Sequence, residues 1–282
     1  MTDLSRIQDP LGLQRLGYAV PLLEHTALQW VAGSLTPRTE RLIEETPVVL
    51  AYNGSAHVVM MTTPEYLEDF GVGFSLTEEL IQSHTDIRSI EIVRYSQGIE
   101  VQMTVPAELA EQIGGRSRKM SGRTGCGICG SDTITDVLKA LHPVRRDQAI
   151  PASSILRALE ALSRHQPLNA ASGAVHAAGW ATAAGEIVLV REDVGRHNAL
   201  DKLIGALVRG GTSPDGGFLV VTSRASFEMV QKATVYGCPL LAAVSGPTGL
   251  AVRVAHQAGL TLVGFARDSR LTVYTHAGGV SG

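Results

Sequence analysis

The sequence predicts an α/β protein in two parts: an N-terminal α+β part and a C-terminal part built as an α/β layer. Asn53-Gly54 separates two apolar runs, which is typical of a β-hairpin because both turn residues tolerate positive φ. Beyond residue 170, apolar strands alternate with short helices, which is typical of a parallel sheet covered on both faces. Of the 282 residues, 44% are hydrophobic and 18% are charged, so the chain can bury a large core.

The N-terminal part is expected to span residues 1–115 as antiparallel strands and helices. Residues 1–45 carry few strong signals and are expected to begin as a loose segment. Thr63 is a candidate N-cap, Pro64 suits the first helical position, and Glu65 places an acid in the first turn. Together they predict a helix that continues to about Ile81. The strands expected here cover residues 47–52, 56–61, 90–93 and 99–105.

Residues 116–150 are expected to form a mobile loop with a Cys-x-x-Cys motif, then a short helix and a linker. Arg116–Gly130 is rich in glycine and has neither helical nor strand periodicity. Ser131-Asp132 is expected to cap the short helix, which ends near Leu141, and Pro143–Pro151 forms the linker.

The C-terminal part, residues 151–282, is expected to alternate helices and strands. Ser153 or Ser154 would cap a first helix, whose apolar face carries Ile155 and Leu159. The strands expected after it are 186–190, 218–221, 240–244 and 260–264, and the helices are 197–208, 226–235 and 248–257.

Composition and the ends of the chain exclude several classes of partner. A net charge of −3 argues against a dedicated nucleic-acid binder, since such domains are usually strongly basic. No apolar stretch reaches the roughly 18 residues of a membrane span, and the N-terminus lacks the apolar core of a signal peptide. With only three cysteines, a disulfide scaffold is not expected. A cytoplasmic protein is predicted, with neither nucleic acid nor membrane as its partner.

Three segments are expected to leave the carboxyl ends of the C-terminal strands, where open α/β sheets bind ligands. They are Thr222–Ser226, Ser245–Thr248 and Phe265–Arg270. Two run into helix N-termini, which attract anions, and arginines in the first and third suit phosphate. A phosphate-bearing ligand is therefore predicted; ordinary helix caps and solvated arginines are the alternative. No glycine pattern of the Rossmann or P-loop type is present.

A fourth segment, Arg191–Asn198, packs charge densely between a strand and a helix and should open on the same edge. It either contacts a ligand, or Asp193 or Asn198 caps the helix beside an internal ion pair.

Cys126-Gly127-Ile128-Cys129 admits several chemistries. Structural zinc needs four ligands, yet only Cys238 remains, and no His-x-Glu accompanies the pair as in zinc deaminases. A thioredoxin-like dithiol usually lies near a β-α-β start rather than in a glycine-rich loop. Sulfur transfer through a persulfide suits an exposed thiolate, which neighbouring arginines and a lysine favour. A Cys-x-x-Cys redox or zinc-binding regulator without transfer activity, and inert cysteines, stay open as alternatives.

Four segments of the chain together form a specific pattern: Gly122–Gly130, Glu192–Lys202, Ser223–Lys232 and Leu262–Arg267. Taken together, they resemble the FdhD family, the sulfur-carrier accessory proteins of formate dehydrogenase. The resemblance extends from about residue 45 to the C-terminus.

The resemblance implies a sulfurtransferase that accepts sulfur from a cysteine desulfurase as a persulfide on Cys126, with Cys129 in support. It further implies transfer to the molybdenum of bis(molybdopterin guanine dinucleotide) before that cofactor enters formate dehydrogenase. A C-terminal domain similar to the cytidine deaminase fold without its zinc, a homodimer, and GDP as a ligand analogue are also expected. The cofactor-binding stretch carried over from the family is Phe265, Ala266, Arg267, Asp268, Ser269 and Arg270.

Overall fold

The structure is a computed structural model that describes residues 13–18, 20–120, 142–145 and 148–282. Cys126 and Cys129, most of the expected mobile loop and the helix expected to end near Leu141 lie outside these residues. Within the described ranges, no helix has both the length and the apolar character needed to cross a membrane.

A long two-stranded antiparallel ribbon follows a 3₁₀ turn at Leu13–Tyr18. β1 (Leu22–Val31) pairs with β2 (Ser34–Ile43) along its whole length. The expectation of a loose start is therefore wrong for this stretch. The sequence does not predict the ribbon, because most of its side chains are exposed. No buried face therefore imposes an alternation of apolar and polar residues.

The N-terminal part is a four-stranded sheet whose order is β4-β3-β6-β5. Its Asn53-Gly54 hairpin is confirmed, with both residues at positive φ. The other strand pair is confirmed as well, and β3 and β6 run parallel. The strands are β3 (Thr46–Tyr52), β4 (Ser55–Thr62), β5 (Ser89–Tyr95) and β6 (Gly98–Thr104).

Two helices of the N-terminal part begin or end elsewhere than expected. Helix α1 (Leu67–Thr77) begins after Thr63-Pro64-Glu65, because the backbone of Thr63 is bound by Asp193 and Lys202 instead. Helix α2 (Ala107–Met120) continues through residues 116–120, where a loop is expected. α1 and α2 contribute Phe70, Phe74 and Ile113 to the apolar core of this part.

The C-terminal part is a six-stranded sheet whose order is β13-β12-β11-β10-β8-β9. Only β10, β11 and β12 run parallel, so the expectation of a wholly parallel sheet is wrong. β8 and β13 run antiparallel to their neighbours because short turns connect β8 to β9 and β12 to β13. Its strands are β8 (His176–Thr182), β9 (Ile187–Asp193), β10 (Gly217–Val221), β11 (Leu240–Ala243), β12 (Thr261–Arg267) and β13 (Arg270–Val273).

Helices cover both faces of this sheet, as expected. One apolar core lies under α5, α6 and α7, and the other lies under α3. α3 begins after Pro151 without a side-chain cap, so the expected cap by Ser153 or Ser154 is wrong. β7 (Ile150–Pro151) and β14 (Val280–Ser281) form a separate parallel pair. The helices are α3 (Ala152–Leu162), α4 (Pro167–Ser172), α5 (Arg196–Arg209), α6 (Phe227–Tyr236) and α7 (Gly249–Ala258).

The two parts meet where α1 crosses α5, and two glycines let the helix backbones touch. A Cβ added at Gly73 would lie 1.7 Å from the carbonyl oxygen of Asp201. One added at Gly205 would lie 1.8 Å from the carbonyl oxygen of Asp69. This close approach brings the N-terminal part against the β9–α5 segment of the C-terminal sheet.

Candidate functional site

The expected strand-end loops meet at one edge of the C-terminal sheet. Ala225, after β10, forms an isolated parallel bridge with Pro247, after β11, and its carbonyl accepts the Thr248 amide at 3.0 Å. The Phe265 amide donates to the carbonyl of Ser245 at 3.2 Å. β9 ends at this edge too, because it runs antiparallel to β8, as β10 does. All four predicted segments therefore share one edge.

Two of the loops run into helices, as expected, but their first turns differ. The Thr248 hydroxyl accepts the Ala251 amide at 3.2 Å, so the N-terminus of α7 has an ordinary cap. Ser226 makes no such bond at the start of α6. Arg224 precedes α6 and is exposed. The loop after β10 is therefore the better placed of the two to meet an anion.

The stretch Phe265–Arg270 is a β-turn between two strands rather than the start of a helix. Arg267 pairs with Arg270 across the two-residue turn Asp268-Ser269, whose φ values are 51° and 60°. Phe265 also has positive φ, at a register shift, and its ring lies over Gly246. Ala266 is buried, whereas the other five residues are exposed. Positive φ at both Asp268 and Ser269 is what a two-residue hairpin turn requires, so within this stretch only Phe265 departs from ordinary turn geometry.

Asp193, expected either to contact a ligand or to cap a helix, is wholly buried and joins the two parts of the chain. Its carboxylate accepts hydrogen bonds from groups at the end of β4 and from its own segment. It also forms an ion pair with Lys202, so the expected internal ion pair is present. α5, however, begins after Gly195 with no side-chain cap. The donors are the Thr62 hydroxyl, the Thr63 amide (3.0 Å), the Gly195 amide (2.8 Å), the Asn198 side-chain amide (3.0 Å) and the Lys202 ammonium (2.6 Å).

Arg196 and His197 follow Asp193 and are only partly buried at the shared edge. His197 Nε2 lies 2.7 Å from Glu228 Oε2, which ties the start of α5 to α6. Arg196 Nε is buried and has no hydrogen-bond partner among the described residues. Burial lowers the pKa of nearby His176, and the positive charge of Arg196 lowers it further. The Arg196 guanidinium at this edge suits an anionic ligand.

A second buried cation, Lys232, binds groups from both parts of the chain. Its ammonium lies 2.9 Å from Asp201 Oδ1, Glu78 Oε1 and Thr77 Oγ1. Burial alone would lower the pKa of Lys232, but the carboxylates of Asp201 and Glu78 raise it above its ordinary value. Lys232 is therefore held in its charged form. A signal for it exists in the sequence, because a lysine falls at a position of α6 where the helical period places buried residues.

A third ionic group crosses the same interface. Asp69 of α1 binds Arg191 of β9 at 2.7 Å and also contacts Arg209 of α5. The guanidinium of Arg191 stacks over the ring of Tyr66 at 4.0 Å. Together with Asp193 and Lys232, this group fixes the N-terminal part against the segment that holds Arg196 and His197.

Glu192, the neighbour of Asp193, binds the N-terminus of α4. Its two carboxylate oxygens accept the amides of Leu168 (2.9 Å) and Asn169 (2.8 Å). Burial raises the pKa of Glu192, although these two hydrogen bonds oppose the rise. Glu192 therefore has a structural role, as a partner of the short helix that precedes β8.

The described residues contain no group of three or more His, Cys, Asp or Glu side chains that could hold a metal ion. Cys238 is buried, and its thiol donates to the carbonyl of Leu240 at 3.3 Å. The predicted sulfur-binding pair, Cys126 and Cys129, lies outside the described residues, so both assignments stay predictions.

Residues 43–281 match the FdhD/NarQ family. The chain is 50% identical over 239 residues to the sulfur carrier protein FdhD of Bordetella bronchiseptica, covering 85% of this chain and 87% of that protein. It is also 50% identical over 232 residues to the protein of the same name from Xanthomonas axonopodis pv. citri, covering 82% and 83%. Its fold is similar to that of a Desulfotalea psychrophila protein described as a formate dehydrogenase accessory protein. That match has a TM-score of 0.75 and 24% identity, and covers 93% of this chain and 100% of the other.

Proposed function

Because the chain belongs to the FdhD/NarQ family, we propose that it is a sulfur carrier that serves formate dehydrogenase. The observation that carries the proposal is 50% identity, over most of both chains, to proteins named sulfur carriers. The Cys126-Gly127-Ile128-Cys129 sequence supplies thiols for such a role. We place this activity in the cytoplasm.

The carried sulfur is a persulfide on Cys126, received from a cysteine desulfurase. The Cys126 thiolate attacks the outer sulfur of the desulfurase persulfide, the old S–S bond breaks, and the desulfurase thiolate leaves. Arginines and a lysine close to Cys126 in sequence favour the thiolate that this attack needs. Glycines flank Cys126 on both sides in the sequence, so neither neighbour has a side chain that would hinder a partner, whereas Cys129 supports the transfer.

The sulfur acceptor is the molybdenum of bis(molybdopterin guanine dinucleotide), bound as a substrate. Its guanosine diphosphate arms are strongly anionic, and the shared strand edge offers arginines and the uncapped start of α6. Phe265–Arg270 is the stretch proposed to contact the nucleotide, with GDP as a simple analogue. We further propose that the carrier acts as a homodimer.

The decisive experiment follows sulfur on the full-length protein. After incubation with a cysteine desulfurase and cysteine, mass spectrometry of the wild type and Cys129→Ala should detect one added sulfur, and Cys126→Ala should lack it. Cys238→Ala is the control and should load normally, because Cys238 is buried away from partners. In a strain lacking the protein, only Cys126→Ala should abolish formate dehydrogenase activation.

Two results would overturn the proposal. One is a Cys126→Ala variant that still gains sulfur and activates the enzyme. The other is stoichiometric zinc on Cys126 and Cys129 in the purified protein without any sulfur loading, which would indicate the regulatory alternative.

A further inference from the structure

The outer half of the β1–β2 ribbon presents an apolar face that nothing in the described chain covers. Leu28 lies opposite Pro37 and Trp30 lies opposite Leu35, so all four side chains share one face. Leu28, Trp30 and Leu35 are 64%, 67% and 60% exposed. Soluble proteins rarely leave such neighbouring apolar side chains in water unless the patch binds something.

The opposite face of the ribbon already has a partner. α4 packs against β2, and Ala27 and Glu40, which point to that side, are partly buried. α4 contacts this one side only, so the face with Trp30 is left open to another partner.

The N-terminal sheet leaves a second apolar surface open. Val59 and Met61 of its edge strand β4 lie on one face and are 55% and 42% exposed. Val59 pairs with Val49, which pairs in turn with Glu100, so a row of side chains crosses the sheet on this face. Val93 extends the row on β5. We call this surface, defined by Val49, Val59, Met61 and Val93 with Glu100 between Val49 and Val93, the open sheet face.

We propose that the ribbon of one copy lies on the open sheet face of a second copy, and that the partner returns the same contact. The inference rests on the homodimer proposed above and adds the surface that forms it. Only Glu44 and Glu45 connect β2 of the ribbon to β3 of the N-terminal sheet. The ribbon and the open sheet face are therefore close together in each copy, so two copies can make the same contact in both directions. Exchange of an identical element between two copies is a common route to a dimer.

The contact area favours a second copy over an unrelated partner. A ribbon of ten residues per strand is roughly 34 Å long and about 10 Å wide, so a contact along its whole length, the polar inner half included, covers at most roughly 340 Å² of each surface. Stable interfaces bury about 800 Å² per partner. A single ribbon contact falls well short of this area, whereas reciprocal exchange doubles it to at most roughly 680 Å² per copy, in the lower part of the range of about 600–1,000 Å² per partner that stable interfaces cover.

The mass of the full chain in solution, from analytical ultracentrifugation, tests the interface. We expect a dimer for the wild type and at least tenfold weaker association for Trp30→Lys and for Val59→Lys. Gln29→Lys is the matched control, because Gln29 lies next to Trp30 but on the opposite face of the ribbon, paired with Thr36. A monomeric wild type would refute the homodimer itself; a dimer that both lysine variants leave intact would refute only the ribbon contact.

Cross-linking tests which surfaces meet, in a background with Cys126 and Cys129 replaced by alanine. A Trp30→Cys chain mixed with a Val59→Cys chain should form a disulfide-linked pair on mild oxidation. Neither chain should cross-link with itself. Self-linking of Trp30→Cys would instead indicate ribbon against ribbon and overturn the proposal.

Discussion

Asp193 joins the end of β4 to the start of α5, since its buried carboxylate binds both Thr63 and Lys202. A carboxylate with this many donors stays in place, so the next residues, Arg196 and His197, enter the sheet edge at a fixed point. The N-terminal part thereby positions side chains of the candidate site although its own strands lie elsewhere. Asp193 itself is too deeply buried to meet a ligand.

At the nucleotide stretch, Arg267→Ala and Arg270→Ala should each weaken GDP binding. A charged hydrogen bond to phosphate contributes about 1.5–3 kcal/mol, which corresponds to a loss of roughly 10- to 150-fold in affinity. Isothermal titration calorimetry measures this loss. The control is Arg157→Ala, because Arg157 is also exposed but donates to the Ala184 carbonyl at the opposite edge of the sheet. Unchanged GDP affinity in both site variants would exclude Phe265–Arg270 as the nucleotide contact.

Among the elements, those with a strong local signal are the ones that sequence predicts. The Asn53-Gly54 hairpin and the helices α5, α6 and α7 follow from turn chemistry and apolar periodicity, which act within a few residues. The same local reasoning brings the strand-end loops to one edge. Local reasoning gives the wrong helix start at Thr63. The backbone of Thr63 instead binds Asp193 and Lys202 across the interface between the two parts.

The crossing of α1 and α5 could not be predicted from local sequence, because a glycine inside a helix normally indicates a weaker helix rather than a contact between helices. Gly73 lies at a point where any side chain would meet the backbone of α5. Gly73→Ala should therefore destabilise the protein by about 1–3 kcal/mol, as overpacked sites do. Urea unfolding followed by circular dichroism measures the change.

Gly114→Ala in α2 is the control for this variant. It is helical as well, but its added Cβ would meet nothing within 4 Å. Alanine favours a helix over glycine by up to about 1 kcal/mol, so this variant should be neutral or more stable. If Gly73→Ala were equally well tolerated, the helices would not depend on close backbone contact.

For the whole molecule, the α/β class and the shared edge are predictable, whereas the joint between the two parts is not. The charges that form this joint, Asp69, Asp201 and Lys232, come from distant segments, and no local pattern pairs them. The resemblance to a family indicates candidate site residues, but it does not distinguish those that contact a ligand from those that stabilise the fold. Within the predicted segment Arg191–Asn198, only the structure separates buried Asp193 from the more accessible Arg196 and His197.

The joint predicts that the two parts depend on each other for stability. Lys232→Met should destabilise the whole protein by about 3–5 kcal/mol, because it leaves Asp201 buried without its cation. The folded-state pKa of Lys232 is raised above its ordinary 10.5, so its stabilising effect is complete at pH 7 and is lost only in strongly alkaline solution. Urea unfolding at pH 7 should therefore record the full effect.

Arg164→Met is the matched control, because Arg164 pairs with Glu160 at 2.5 Å but both side chains are largely exposed. Its loss should cost about 1 kcal/mol at most. Adding Asp201→Asn to Lys232→Met should restore part of the lost stability, since the unpaired buried charge is then removed as well. If Lys232→Met unfolded at the same urea concentration as Arg164→Met, the buried ionic contacts would not be what holds the N-terminal part against the sheet edge.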